Sequence, residues 1–329
     1  MSFTVSARRW RPQTFDEVIG QRHLVQILSQ SVSQGKMAHA YLFSGMRGVG
    51  KTSVARILAK ALNCADAEKR PCNRCISCQE ITEDRSMDVM QIDGASNTSV
   101  DDVRELREVV KYLPLQGTRR IVIIDEVHML SNAAFNALLK TLEEPPPHLV
   151  FILATTEAHK IPATILSRCQ HFIFRRIARA DLDQQLKKVI SEKGVQISDP
   201  VLAFIAKASE GSLRDALSLL DQAVSFGGQH ITEETLSILF GRVAKTVPHL
   251  LICGIREKNV SVILKIAQEI ENGGYDLRHF LLDWIEHLRN ILVIKQIPNE
   301  DGFIDLSDEE KKEIAEEGRL FSEVTFFNC

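Results

Sequence analysis

No stretch of the 329-residue chain approaches the roughly 20 consecutive apolar residues that a membrane-spanning helix needs, and the first residues hold no apolar core of a secretory signal. The expectation is a soluble, cytoplasmic protein without a membrane partner. A basic excess is missing too. The formal net charge is −3, and residues 305–317 carry seven carboxylates against two lysines, which leaves the rest of the chain near neutral. Any nucleic-acid contact must then come from a local basic face rather than from bulk charge. Internal repeats and low-complexity stretches are absent. Cysteine is scarce, and four of the seven cluster at Cys64, Cys72, Cys75 and Cys78, while Cys169, Cys253 and Cys329 show no pairing pattern. Without a signal peptide, such a cluster favours metal over disulfides.

What is present is organised around Gly45-Met46-Arg47-Gly48-Val49-Gly50-Lys51-Thr52, set between the apolar run Ala40–Phe43 and a helical pattern of Val54, Ile57, Leu58, Ala61 and Leu62. This reads as a P-loop. Gly45, Gly48 and Gly50 let backbone N–H groups cradle phosphates, Lys51 reaches the β- and γ-phosphates, and the Thr52 hydroxyl holds Mg²⁺. Ser53, next along the chain, is counted with the nucleotide-binding residues. The helix that follows directs its positive end at the anion. A chance glycine-rich turn is the competing reading, and the flanking strand and helix disfavour it.

Between about Thr14 and Ile177, short β-rich runs alternate with helical stretches, the signature of a parallel α/β sheet. Five strands are predicted, at Ala40–Phe43, Met87–Ile92, Arg120–Ile124, Leu149–Ala154 and Gln170–Phe174. Helices are predicted at Thr52–Asn63, Val100–Tyr112 and Asn132–Leu142, the last capped by Ser131 and stopped by Pro145-Pro146-Pro147. After Arg176 only helical patterns remain: Asp181–Glu192, Pro200–Ser209, Ser212–Val224 and Glu233–Phe240, with Gly211 ending one helix. Val260–Glu271 and Leu277–Ile294 follow. The division expected is an ATPase domain at 1–178 with an insert at 64–78, a helical domain at 179–242, and a third helical region at 243–329 that looks incomplete, ending at Phe326-Phe327-Asn328-Cys329.

The strand Arg120–Ile124 runs into Asp125 and Glu126, a Walker B arrangement in which Asp125 serves Mg²⁺ and Glu126 polarises the water that attacks the γ-phosphate. Leu149–Ala154 ends instead in Thr155 and Thr156. A hydroxyl there could orient the same water, with Thr155 the better candidate, or both could simply cap the next turn. Arg168, in Ser167-Arg168-Cys169, precedes the last strand at an edge suited to reaching a neighbouring molecule, and Arg214 opens a helix that could close onto nucleotide; a surface salt bridge is the commoner role for either. Cys64-x7-Cys72-x2-Cys75-x2-Cys78 suits tetrahedral Zn²⁺ in a structural site, against an iron–sulfur cluster or unrelated thiols.

These motifs, with Arg8-Arg9-Trp10-Arg11-Pro12-Gln13-Thr14-Phe15, Asp125–Leu130, Asn136–Pro145 and Gly211–Ser218, resemble the gamma/tau subunits of bacterial DNA polymerase III, the ATPases of the sliding-clamp loader. The resemblance spans residues 1 to about 240. It implies an AAA+ module, a helical lid and a helical collar in a pentameric ring, with ATP, Mg²⁺ and Zn²⁺ as cofactors. The partners implied are delta and delta-prime subunits, further gamma/tau copies, the sliding clamp and primed DNA, in the cytoplasm at the nucleoid. By the same resemblance Arg168 acts across the subunit interface as a finger, Arg214 is the second sensor and Thr155 the first, and Arg11, Pro12, Val18 and Ile19 belong to the adenine pocket. The activity implied is ATP hydrolysis coupled to opening and loading the clamp, within a nucleotidyltransferase holoenzyme. No polymerase- or helicase-binding tau extension is matched, and a truncated product is the corresponding expectation. The alternatives are another AAA+ DNA remodeller, such as a branch-migration motor, and a nucleotide-binding scaffold that does not assemble a ring.

Overall fold

Five β-rich runs become one parallel sheet, β1 (Ala40–Ser44), β2 (Val89–Asp93), β3 (Arg120–Asp125), β4 (Leu149–Thr155) and β5 (Gln170–Ile173), in the order β2-β3-β4-β1-β5. The computed structural model describes residues 6–96, 100–232, 235, 239, 246–272, 277–297, 304 and 308–319. Contacts divide the chain into two units, residues 1–224 and 225–329. In the first unit the helices are α1 (Ser6–Arg9), α2 (Arg22–Ser33), α3 (Lys51–Asn63), α4 (Ile76–Thr82), α5 (Val100–Val109), α6 (Asn132–Glu143), α7 (Ala163–Leu166), α8 (Arg179–Lys193), α9 (Asp199–Ala208) and the start of α10 (Leu213–Gly227).

The alternation of side chains along each strand explains why both faces of the sheet are covered. Tyr41, Phe43, Ile121, Ile123, Val150 and Ile152 pack with Val54, Ile57 and Leu58 of α3 and Leu24 and Leu28 of α2. Leu42, Val122, Ile124, Phe151 and Leu153 pack on the other side with Leu106 of α5, Phe135 and Leu138 of α6, and Ile165 of α7. Phe43 is fully buried, with the Phe172 and Phe174 rings 6.0 and 5.3 Å from its own. Phe43→Ala is expected to cost about 3–5 kcal/mol, measured as a lowered urea midpoint at unchanged slope.

Ser131 caps α6 as expected, its Oγ accepting from the Ala134 N–H at 3.2 Å. Gly211 does not end a helix. α9 stops at Ala208 with Ser209 as its cap, and Glu210 and Gly211, both at positive φ (50° and 89°), turn the chain into α10. A Cβ on Gly211 would lie 2.8 Å from the Arg176 Cβ, so close approach rather than helix termination requires glycine there.

The N-terminal segment is tied to α10 through a buried carboxylate. Asp221 accepts from the Ser6 backbone N–H at 2.7 Å and from the Ser6 hydroxyl at 2.5 Å, and pairs with Lys193 Nζ at 2.6 Å. Burial pushes the Asp221 pKa up, but the Lys193 and Ser6 hydrogen bonds outweigh it and hold the group below its ordinary value. A depressed folded-state pKa means stability that is present above the unfolded pKa and lost as pH falls through the folded one. Asp221→Asn is therefore expected to destabilise by about 2–4 kcal/mol at pH 7. The gap from the parent chain should close below about pH 4, as read by denaturant unfolding across pH.

Within the second unit the described helices are α11 (Thr246–Arg256), α12 (Val260–Asn272), α13 (Leu277–Gln296) and α14 (Asp308–Arg319). Leu251, Ile266, Ile270 and Phe280 form one core cluster, and Ile252, Ile291 and Ile314 another. The helix predicted at Glu233–Phe240 and the tail Phe326–Cys329 lie outside the described residues, apart from single positions in the former. No helix among the described residues is long and apolar enough to cross a membrane.

Candidate nucleotide site and metal centre

β1 lies between β4 and β5, and the loop leaving its carboxyl end opens into the crevice where ligands of open α/β sheets bind. Gly45, Gly48 and Gly50 all have positive φ, at 143°, 78° and 105°, and Gly50 caps α3. A Cβ on Gly45 would lie 2.5 Å from the Phe174 carbonyl oxygen, and one on Gly48 only 1.9 Å from Ser212 Oγ. Both conformation and space therefore demand glycine. Lys51 is 5% exposed, and its Nζ donates to the Gly45 and Met46 carbonyls at 2.7 and 2.9 Å. Burial pulls the Lys51 pKa down, against the opposing pull of Glu126 and Asp125.

A cavity of about 1120 Å³ lies over this loop. Gly48, Gly50, Lys51, Thr52, Ser53, Asp125, Glu126, Arg214, Arg11, Pro12, Val18 and Ile19, all singled out in the sequence, line it. Gly45, Thr155 and Arg168 do not. The Thr52 hydroxyl donates to Asp125 Oδ2 at 2.7 Å, which joins P-loop and β3 at the point where a hard cation needs oxygen ligands. Arg11 is depressed below its usual range by burial and then by Arg56, with Arg214 and Arg8 adding and Asp84 opposing, so positive charge is concentrated where an anion would sit.

Past β3, Glu126 takes a left-handed conformation (φ 45°, ψ 45°) that turns its carboxylate toward the end of β4. Its Oε2 accepts from the Thr156 hydroxyl at 3.0 Å and the Thr156 backbone N–H at 3.3 Å. Thr155 is fully buried. Its Oγ1 accepts from the Glu157 N–H and meets His128 Nδ1, both at 3.0 Å. His128 in turn lies 3.4 Å from Glu126 Oε2 and 3.0 Å from Glu157 Oε2. Of the two hydroxyls, that of Thr156 touches Glu126, and Thr155 reaches it only through His128. Asp93 was missed: it ends β2 opposite Asp125 and lines the cavity, and its signal was another strand run closing on a carboxylate. Arg168 sits elsewhere, donating to the Thr164 carbonyl and to Glu143 Oε1, each at 2.7 Å.

The four cysteines come together, their sulfurs all within 4.8 Å of one another. A tetrahedron of about 2.3 Å metal–sulfur bonds has sulfurs about 3.8 Å apart, so four thiolates so placed fit zinc. The backbone N–H of Cys72 points at Cys64 Sγ and that of Cys75 at Cys72 Sγ, both at 3.3 Å. The Arg74 N–H is the largest influence bringing Cys72 down to about 6, whereas burial pushes Cys78 and Cys64 up.

A family model described as "DNA polymerase III, delta subunit" matches residues 20–178, and one described as "DNA polymerase III clamp loader subunit, ATPase lid domain" matches residues 181–229. DNA polymerase III subunit tau of Bacillus subtilis is 45% identical over 96% of this chain and 57% of its own length. The chain thus spans only about half the length of such tau relatives. DNA polymerase III subunit gamma of Buchnera aphidicola subsp. Schizaphis graminum is 38% identical over 98% of this chain and 90% of its own. Among solved structures, the Thermotoga maritima RuvB Holliday junction branch migration motor aligns with a TM-score of 0.53 over 83% of this chain and 91% of its own, at 20% identity. That likeness carries the fold alone. The gamma relative is matched along nearly its whole length, and two DNA polymerase III models meet nearly end to end where the sheet gives way to the helices; the chain belongs to the gamma/tau family of DNA polymerase III subunits.

Proposed function

We propose that the chain is an ATP-hydrolysing motor subunit of a DNA polymerase III clamp loader, coupling ATP binding and hydrolysis to opening the sliding clamp and placing it on primed DNA. The observation that carries the reading is one cavity lined by Lys51, Thr52, Asp125, Glu126 and Arg214 together. Adenine goes to Arg11, Pro12, Val18 and Ile19, and the phosphates to the glycines and Lys51, which exchanges two loop carbonyls for phosphate oxygens. Thr52 and Asp125 would hold magnesium, which would supply positive charge against that of the phosphates. Glu126 accepts a proton from the attacking water as ADP leaves, with Thr156 orienting it and Thr155 acting through His128. Arg214 covers the nucleotide from the lid, and Arg168 serves a neighbouring subunit.

The domain division that goes with this is 1–178 for the ATPase with its zinc insert at 64–78, 179–242 for the lid and 243–329 for the collar. Leu277, Leu281, Leu282 and Ile285 project an exposed apolar stripe from α13, which supports a collar that packs against other subunits. Those subunits are delta, delta-prime and further gamma/tau copies, in a cytoplasmic, nucleoid-associated nucleotidyltransferase holoenzyme. The reading is tested by steady-state ATP hydrolysis of the chain mixed with delta and delta-prime subunits, with and without clamp and primed DNA. Stimulation by clamp and DNA is expected; turnover indifferent to both would favour an isolated ATPase.

Zinc in the Cys64–Cys78 site is structural on this reading, since four thiolates leave no open position for water. Chelation is expected to loosen the insert so that trypsin cuts after Lys69 and Arg74, both already at the surface, before any other site, followed by mass spectrometry of the first fragments. Unchanged cleavage at these positions would remove the metal from the account.

A further inference from the structure

Lys60 lies on α3 about two and a half turns beyond Lys51 and is only 1% exposed, although it is a charged side chain outside the phosphate site. Its ammonium group is satisfied by oxygens from three separate segments: Gln13 Oε1 at 2.7 Å, Asn73 Oδ1 at 2.8 Å and Thr82 Oγ1 at 3.4 Å. A buried ammonium is tolerated only when its protons are matched in this way. Each partner belongs to something else. Asn73 sits between Cys72 and Cys75 at φ 57°, and the Thr82 hydroxyl donates to the carbonyl of Cys78 at 2.8 Å. Gln13 Nε2 donates to the Arg11 carbonyl at 3.0 Å, and its backbone N–H to Glu17 Oε2 at 2.7 Å; Arg11, Pro12 and Glu17 all line the nucleotide cavity.

We propose that Lys60 is a positioning residue through which the four-cysteine site, when metal is bound, fixes the base-binding wall of the nucleotide cavity. The proposal rests on the nucleotide reading given above. Metal holds the turn at Asn73, Asn73 and Thr82 hold the ammonium, and the ammonium holds Gln13 and with it the Arg11–Pro12 segment. Loss of metal frees Asn73 and leaves the charge short of an acceptor, so the wall under the base slackens. The glycine loop and Lys51 lie at the other end of α3 and share none of these hydrogen bonds. Affinity for the base should therefore change while affinity for the phosphates does not.

The test is calorimetric titration of the full chain with MgATP and, separately, with inorganic tripolyphosphate, which has no base. Both are run with zinc present and after removal by a zinc-selective chelator, with zinc content measured in each sample. Stripping zinc should weaken MgATP about tenfold, the effect of losing one charged hydrogen bond, and leave tripolyphosphate within twofold. Lys60→Met and the half-buried Gln13→Ala, each with zinc retained, should do the same, and stripping zinc from either variant should add nothing further. MgATP affinity indifferent to zinc, additive losses in the stripped variants, or equal losses for both ligands would each overturn the proposal. A parent chain that binds neither ligand would overturn the nucleotide reading and this proposal with it.

Discussion

Lys51→Ala is expected to weaken MgATP binding by two to three orders of magnitude and to reduce hydrolysis to background. Lys51 is 5% exposed and its ammonium is held by two carbonyls of its own loop, with Glu126 and Asp125 opposing the loss of its charge by burial. It is thus desolvated in advance, and exchanging neutral carbonyls for an anionic phosphate strengthens its interactions without further loss of hydration. Truncating one member of a buried, hydrogen-bonded charge pair costs about 2–5 kcal/mol, or roughly thirtyfold to several-thousandfold in affinity. The fold should survive, because the two carbonyls belong to a loop that opens on the cavity and water can replace the ammonium. Calorimetric titration with MgATP, beside a thermal melt of the same sample, reads both effects. Affinity within threefold of the parent chain would show that the phosphates do not lie on this loop.

The motif was legible because its chemistry is local: glycines at three positive-φ sites, a lysine and a threonine must be consecutive to do their work. The three central strands were legible for a related reason, since strands buried on both faces write continuous apolar runs. That same property hid the choice between Thr155 and Thr156. A strand buried on one face alternates and so reveals which residues point where, but all seven residues of β4 are buried and the pattern carries no phase. Only the pairing of Thr155 with Ser44 in register, and the left-handed turn at Glu126, bring the second hydroxyl to the carboxylate. Lys60 was hidden differently. In Leu58-Ala59-Lys60-Ala61-Leu62 a lysine reads as the solvent side of a helix, and its burial depends on Gln13, Asn73 and Thr82, which lie 13 to 47 residues away. Partners at that separation leave no periodic trace in the sequence.

Arg168→Ala is expected to lower ATP turnover of the assembled loader by 10³–10⁵, the range for loss of a guanidinium that stabilises charge growing on a transferred phosphoryl group, while nucleotide affinity of the chain alone stays within threefold. The split follows from where the side chain lies. Arg168 is absent from the cavity lining, so it has no direct way to act on nucleotide bound to its own subunit. It leaves the end of α7 at the start of edge strand β5, and its guanidinium is held by the Thr164 carbonyl and by Glu143, at the end of α6. These contacts occupy some of its five donors and restrict its rotamers, so less entropy is lost when the remaining donors meet a phosphate on an adjoining subunit. Glu143→Gln keeps a neutral acceptor and should cost far less than removal of the arginine. Turnover measured with delta and delta-prime subunits, clamp and primed DNA, set against MgATP affinity of the isolated variant, separates a role in trans from one in cis. Equal losses in both would place Arg168 at its own nucleotide, and undiminished loader turnover would make its pairing with Glu143 a surface ion pair.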